Sequence, residues 1–260
     1  MSQLCQQSQR SQLGQRTKFV CSAFIAILLS ACSAQPKLSQ DALPPRVEIA
    51  EDIKEHSLFE RYADPFEGFN RRMYYFNAKA DEYVLLPVVA GYKAITPDPV
   101  ERGVNNFFSN LGELPTLANA LLQLKFDVAL TTFSRFTLNS TIGLAGLFDV
   151  ASSMGIAEQN EDFGQTLGYW GVGSGPYLVL PLLGPSSVRD ATGLGLDTLA
   201  YKALVSELGL TPEEELILDS LRSIDARANV PFMYYQTGSA FEYDRVKLLY
   251  MKFRELQIKR

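Results

Sequence analysis

The apolar residues of this chain are spread over many short helical faces, each cut off by a proline or a cluster of glycines. None runs far enough to cross a bilayer as a helix. The clearest face follows Asp64-Pro65, where Phe66, Phe69, Met73, Phe76, Ala80 and Tyr83 alternate spacings of three and four. That period puts them in one stripe on an α-helix. Asp64 suits the cap position and Pro65 the first turn, and Pro87 is expected to end the helix. Asp98-Pro99 starts a second helix carrying Val100, Val104, Phe107, Phe108 and Leu111. Pro115 opens a third, Thr116 to about Lys125, and a fourth runs from Asp127 to Asn139. Later helices are expected from Ser187, from the capping box Thr211-Pro212-Glu213-Glu214 to about Ala228, and from about Phe241 to Leu256. Between Pro176 and Pro185 the apolar run reads as an extended loop or a short edge strand. The fold class is therefore mostly α. Short faces of Phe, Tyr and Leu suit either a packed core or helices in a membrane interface, and periodicity alone does not separate the two.

The N-terminus carries a different signal. Arg10, Arg16 and Lys18 precede an apolar run from Phe19 to Leu29, the basic-then-apolar order of an export signal. Leu29-Ser30-Ala31-Cys32 follows, the four-residue pattern at which a bacterial lipoprotein is alkylated on sulfur and cut before the cysteine. The expected organisation is a signal peptide over 1–31, a lipidated flexible tether over 32–63 and a helical domain over 64–260. The plainer alternative is an ordinary signal with Cys32 an incidental thiol. Ser33 after Cys32 suggests delivery to the outer membrane.

Composition narrows the chemistry. Acidic residues outnumber basic ones by 29 to 24, and the signal would remove three basic residues and no acid, so nucleic acid is a poor partner. Cys5 and Cys21 leave with the signal, so Cys32 alone remains and neither a disulfide nor a cysteine metal cluster is expected. His56 is the only histidine, and it sits in a charged stretch before the first helix, where a solvated linker residue is the simpler account than a catalytic base. Gly171-Val172-Gly173-Ser174-Gly175 resembles a phosphate loop but leads into a proline and not a helix N-terminus. Arg189-Asp190 offers a headgroup contact or, equally, a helix-capping ion pair. No metal, cofactor or catalytic residue is expected.

Asp64-Pro65-Phe66-Glu67-Gly68-Phe69-Asn70-Arg71, with Met73 and Phe76-Asn77, resembles the opening of the MlaA (VacJ) lipoprotein family. Asn106 to Leu111, Arg135-Phe136 with Leu138-Asn139, and Gly146 to Ala151 continue the likeness. Its strongest part is Asp162 to Gly168, then Gly171-Val172-Gly173, Gly175-Pro176-Tyr177, Leu180 to Pro185 and Arg189-Asp190.

The resemblance implies a compact ring of short amphipathic helices lying in the membrane plane around a central amphipathic channel. It implies an outer-membrane lipoprotein of the periplasmic leaflet that removes mislocalised phospholipid and passes it to a soluble periplasmic carrier beside a trimeric porin, with no covalent chemistry. A structural lipoprotein that scaffolds porins is the alternative, and a phospholipase is disfavoured by the shortage of histidine. Gly143, Gly146, Gly164, Gly168, Gly171 and Gly173 are candidates for a flexible gate or close-packed channel wall, and about Ser152 to Asp162 would correspond to a hairpin that modulates opening. Asn70 and Asn77 are channel candidates, with local helix satisfaction as the alternative. The long polar tail of some family members is not matched after the last helix, which leaves a carrier contact there unsupported.

Overall fold

The computed structural model describes residues 62–259 except Leu208 and Thr237. The export signal, Cys32, the tether and His56 therefore lie outside the described residues. In chain order the elements are α1 (Glu67–Ala80), a π-helical turn (Asp81–Leu85), α2 (Leu86–Ile95), α3 (Asp98–Leu122), α4 (Phe126–Thr141) and the single turn α5 (Val150–Ser153). Then come α6 (Phe163–Tyr169), β1 (Tyr177–Leu180), β2 (Gly184–Ser187), α7 (Val188–Ser206), α8 (Pro212–Ala228) and α9 (Glu242–Lys259). The all-α expectation holds apart from one antiparallel hairpin, in which Tyr177 faces Ser187 and Leu180 faces Gly184. The apolar run between the prolines is thus a strand, closed by Leu182 at φ 62°.

Local signals account for several helix starts. Thr211 and Glu214 form the full reciprocal capping box at the head of α8. Ser187 caps α7 by accepting from Asp190 N–H, and Asp162 caps α6 by accepting from Gln165 N–H. Asp64 does not cap α1 as expected. Its carboxylate accepts from the Asn70 amide and the Tyr243 hydroxyl, so two tertiary partners take the oxygens that a cap would need.

Two prolines expected to divide helices do not. Ahead of Pro87 the chain widens into the π turn, where Leu86 N–H reaches the Asp81 carbonyl five residues back. The extra residue gives the proline ring room without ending the helix. Pro115 sits inside α3, which runs unbroken to Leu122. A proline there costs about 3 kcal/mol, which the long packing of α3 along α4 and bonds such as Asn119 Nδ2 to the Pro115 carbonyl offset.

The helical stripes have the expected period, but they point outward. On α1, Phe69 is 49% exposed while its neighbour Asn70 is fully buried. On α4, Phe126, Leu130 and Phe133 are exposed, and Thr132, Arg135 and Asn139 are buried on the opposite face. The largest fully buried side chains include Arg135, Gln123, Gln165, Glu113 and Asn70. A small apolar cluster of Tyr74, Tyr177, Val179, Tyr243 and Met251 joins α1, the hairpin and α9, its tyrosine rings meeting edge to face. Among the described residues no helix is long and apolar enough to cross a membrane.

Candidate functional site

The polar interior is built from side chains that stand at helical spacing but away from the apolar stripe. On α3 these are Asn110, Glu113, Thr116 and Asn119; on α4 they are Thr132, Arg135 and Asn139. The two rows face each other. Arg135 Nε donates to Glu113 Oε1 at 2.5 Å, and both side chains are 1% exposed. The rest of its guanidinium reaches Ser152 Oγ, the Ile156 carbonyl and Asp149. Gln123, Thr166, Asn119 and Asp197 continue the network toward α6 and α7. Buried polar groups need partners, and the interior supplies many of them, though Glu113 Oε2, Gln123 Oε1 and Thr132 Oγ1 are left without one.

A second charged cluster joins α6, α7 and α9. Arg254 grips Asp162 with two parallel bonds of 2.6 and 2.8 Å and reaches Asp190 at 3.1 Å. Burial would raise both aspartates, but the Arg254 hydrogen bonds and charge outweigh it and hold them below the ordinary carboxylate range. Arg189, expected as a headgroup contact or a capping pair, is turned inward. Its Nε and Nη2 are spent on Asp190 Oδ1 at 2.9 and 2.8 Å, which makes it a pair at the helix start.

Asn70 and Asn77 do not satisfy their own helix. They stand two turns apart on α1 and clamp the free edge of β1. Asn70 Oδ1 accepts from Val179 N–H at 2.9 Å while its Nδ2 donates to the Tyr177 carbonyl at 3.0 Å. Asn77 repeats the pattern, accepting from Leu182 N–H at 2.7 Å and donating to the Leu180 carbonyl at 2.8 Å. Each side-chain amide acts as a peptide unit of a neighbouring strand, so β1 is paired on both edges.

The clamped hairpin separates two cavities. One, about 170 Å³, is walled by Ser186, Asp190, Asp197, Tyr250 and Arg254. The other, about 310 Å³, is walled mainly by Leu85, Leu182, Val230, Phe232 and Val246, with Asn77, Asp81 and Arg227 at its polar end. Leu183 and Pro185 line both. A charged space and an apolar one thus meet across a single hairpin, a surface suited to an amphiphile.

The expected glycines separate into groups. A Cβ on Gly143 would lie 2.2 Å from the Phe148 carbonyl oxygen, and one on Gly146 would meet Asn110 at 2.6 Å. Gly164 and Gly168 lie against the Arg254–Asp190 cluster and Ile258, whereas Gly171 and Gly173 have open space around them. The stretch from Ser152 to Asp162 contains no strand pair; after α5 ends at Ser153 it is a loop held by Arg135 at Ile156, Ser109 at Glu158 and Lys125 at Glu161. Among the described residues no group of three His, Cys, Asp or Glu is placed to hold a metal. Sequence reading missed the Glu113–Arg135 pair, although the polar rows at helical spacing on α3 and α4 were its visible signal.

The family model for the MlaA lipoprotein matches residues 62–257. An uncharacterised protein of Rickettsia typhi is 42% identical over 151 residues, 58% of this chain and 60% of that protein. The intermembrane phospholipid transport system lipoprotein MlaA of Escherichia coli K12 is 40% identical over 135 residues, 50% of this chain and 54% of its own length. Its Haemophilus influenzae counterpart is 34% identical over 168 residues, 64% and 66% of the two chains. The aligned part of this chain thus spans about 60% of the length of the Rickettsia relative. A chain solved under the description "Structural basis for maintenance of bacterial outer membrane lipid asymmetry" superposes with a TM-score of 0.61 at 32% identity, over 75% of this chain and 99% of that one. With the family model matching nearly all of its helical body, the chain belongs to the MlaA lipoprotein family.

Proposed function

We propose that this chain removes mislocalised phospholipid from the outer leaflet of the Gram-negative outer membrane and passes it to a soluble periplasmic carrier. In this reading Cys32 carries the lipid anchor, a trimeric porin is the membrane neighbour, and the helices lie in the membrane plane around an amphipathic passage. No bond is made or broken in the lipid; the protein supplies a path.

One observation carries the reading: the polarity of the fold is inverted. Leaving a Phe or Leu exposed to water forfeits roughly 1.5–3 kcal/mol relative to burying it. Outward stripes such as Phe126, Leu130 and Phe133, repeated as Phe66 at the cap of α1 and Phe69 and Phe76 along it, therefore fit acyl chains as solvent better than water. The polar interior and the cavities at the hairpin suit a headgroup that must leave water on one side and regain it on the other. The names of the Escherichia coli and Haemophilus influenzae relatives support the same substrate class.

The test is a clean deletion in the native host, with surface-exposed phospholipid and detergent sensitivity measured. Both are expected to rise, and restoration by the full chain but not by an Asn77→Ala, Asn70→Ala double variant would tie the effect to the hairpin. Porin co-purification with unchanged surface lipid would support the scaffolding alternative and end the transport reading.

A further inference from the structure

Two turns of α3, from Ser109 to Thr116, and the loop from Glu158 to Asp162 line a third cavity of about 210 Å³ that is open on one side. Its wall carries five carboxylates, Glu113, Glu158, Glu161, Asp162 and Asp197, and no basic side chain. Three of them are met from behind by cations outside the wall: Arg135 on Glu113, Lys125 on Glu161 and Arg254 on Asp162. Glu158 and Asp197 have no salt bridge with any described residue, so the wall carries more carboxylates than there are cations behind it; burial raises the Asp197 carboxyl, and the Arg254 charge opposes that. A second observation points to a ligand. Glu113 and Glu161 have side chains only 1% and 7% exposed, yet each leaves Oε2 without a hydrogen-bond donor. An unmet carboxylate oxygen in a buried wall is costly, and donors from an incoming group would remove the cost.

We infer that this cavity binds the primary ammonium of an aminophospholipid headgroup; the inference rests on the transport reading and names its preferred substrate. A primary ammonium brings one positive charge and three N–H donors on a small centre, which matches separate carboxylate oxygens around a space of this size. A divalent metal instead needs several oxygens within about 2.0–2.6 Å of one centre, and no three acidic side chains among the described residues are so grouped. A glycerol headgroup has no charge to offer, and a quaternary amine has no N–H. Asp162 and Asp197 also line the charged cavity beside the hairpin, so the ammonium site shares a wall with the proposed lipid path.

The experiment uses the full chain purified in detergent and offered equimolar phosphatidylethanolamine and phosphatidylglycerol, with bound lipid read by native mass spectrometry. The wild type is expected to take about tenfold more phosphatidylethanolamine. Glu158→Gln with Glu161→Gln keeps acceptors for Ser109 and Lys125 but removes two charges, and should bring the ratio close to one. If the double variant loses its melting transition, Glu158→Gln alone, at an exposed position, should still lower the ratio severalfold. Equal uptake by the wild type, or an unchanged preference in the variants, overturns the inference while leaving transport intact. Free phosphoethanolamine binding as tightly as the lipid overturns it in favour of a soluble amine. If neither phospholipid binds, the transport reading falls and this inference with it.

Discussion

Arg135 and Glu113 form a 2.5 Å ion pair in which both side chains are almost wholly withdrawn from solvent, at the crossing of the α3 and α4 polar faces. In a water-soluble helical hairpin this position would hold leucine or isoleucine. Here Arg135 also holds the loop after α5 through the Ile156 carbonyl and Ser152, so the pair ties two helices and the loop between α5 and α6 into one unit.

Removing one member should therefore cost more than removing both. Glu113→Ala leaves the buried guanidinium with Asp149, at 3.3 Å, as its remaining carboxylate, and loss of one partner of such a pair costs about 3–5 kcal/mol. Replacing the pair by Leu and Met should recover at least half of that. Denaturant unfolding in detergent measures the cycle; additive losses would show that the pair is not coupled.

The Asn70 clamp gives a site-specific signature. In Asn70→Ala the Val179 N–H is left buried without an acceptor, at a cost of about 1–3 kcal/mol. Amide exchange at Val179 should quicken, while Leu182, held by Asn77, keeps its protection. Asn77→Ala should show the reverse. Equal quickening at both positions would contradict independent clamps.

The acid response should depend on Arg254. Asp162 and Asp190 have folded pKa values below their unfolded values of about 3.9. They therefore add stability above that value and lose it as pH falls through the lower folded values. Burial acts in the opposite direction on Asp197, whose carboxyl is raised; losing the Arg254 charge removes a pull that lowers it, which flattens the variant's acid response further. Unfolding followed from about pH 5 down to about pH 2 is expected to show a steep loss in the wild type and a shallower one in Arg254→Gln. Parallel curves would contradict the assignment.

Glycine positions separate by what surrounds them. A Cβ on Gly193 would come within 2.3 Å of the Gly164 nitrogen, where α6 and α7 cross on backbone alone. Gly193→Ala should cost at least 1–3 kcal/mol, on the order of other overpacked sites, whereas Gly173→Ala meets nothing within 4 Å and should be close to neutral. Melting temperatures of the two variants compare them directly, and similar values would count against the crossing.

What could be read from the sequence was local. The Thr211–Glu214 box and the Ser187 start are encoded within four residues and came out as expected. The helices at Pro87 and Pro115 were divided wrongly because a π turn and tertiary packing, neither visible in the local pattern, absorb those prolines. Phe66 to Tyr83 had the right period, but a period fixes a stripe and not the side it faces; that choice belongs to the solvent. The role of Asn70 and Asn77 as clamps on β1 was not legible, because Val179 and Leu182 lie more than a hundred residues away in sequence.

The central claim is that the exposed stripes contact acyl chains. Trp170, the chain's one tryptophan, is 52% exposed, and a Phe133→Trp, Trp170→Phe protein moves the reporter to the α4 stripe. Fluorescence in vesicles of phospholipid brominated along the acyl chain tests both positions. Strong quenching by bromine with little quenching by aqueous acrylamide is the predicted result; ready quenching by acrylamide and none by the brominated lipid would contradict the account.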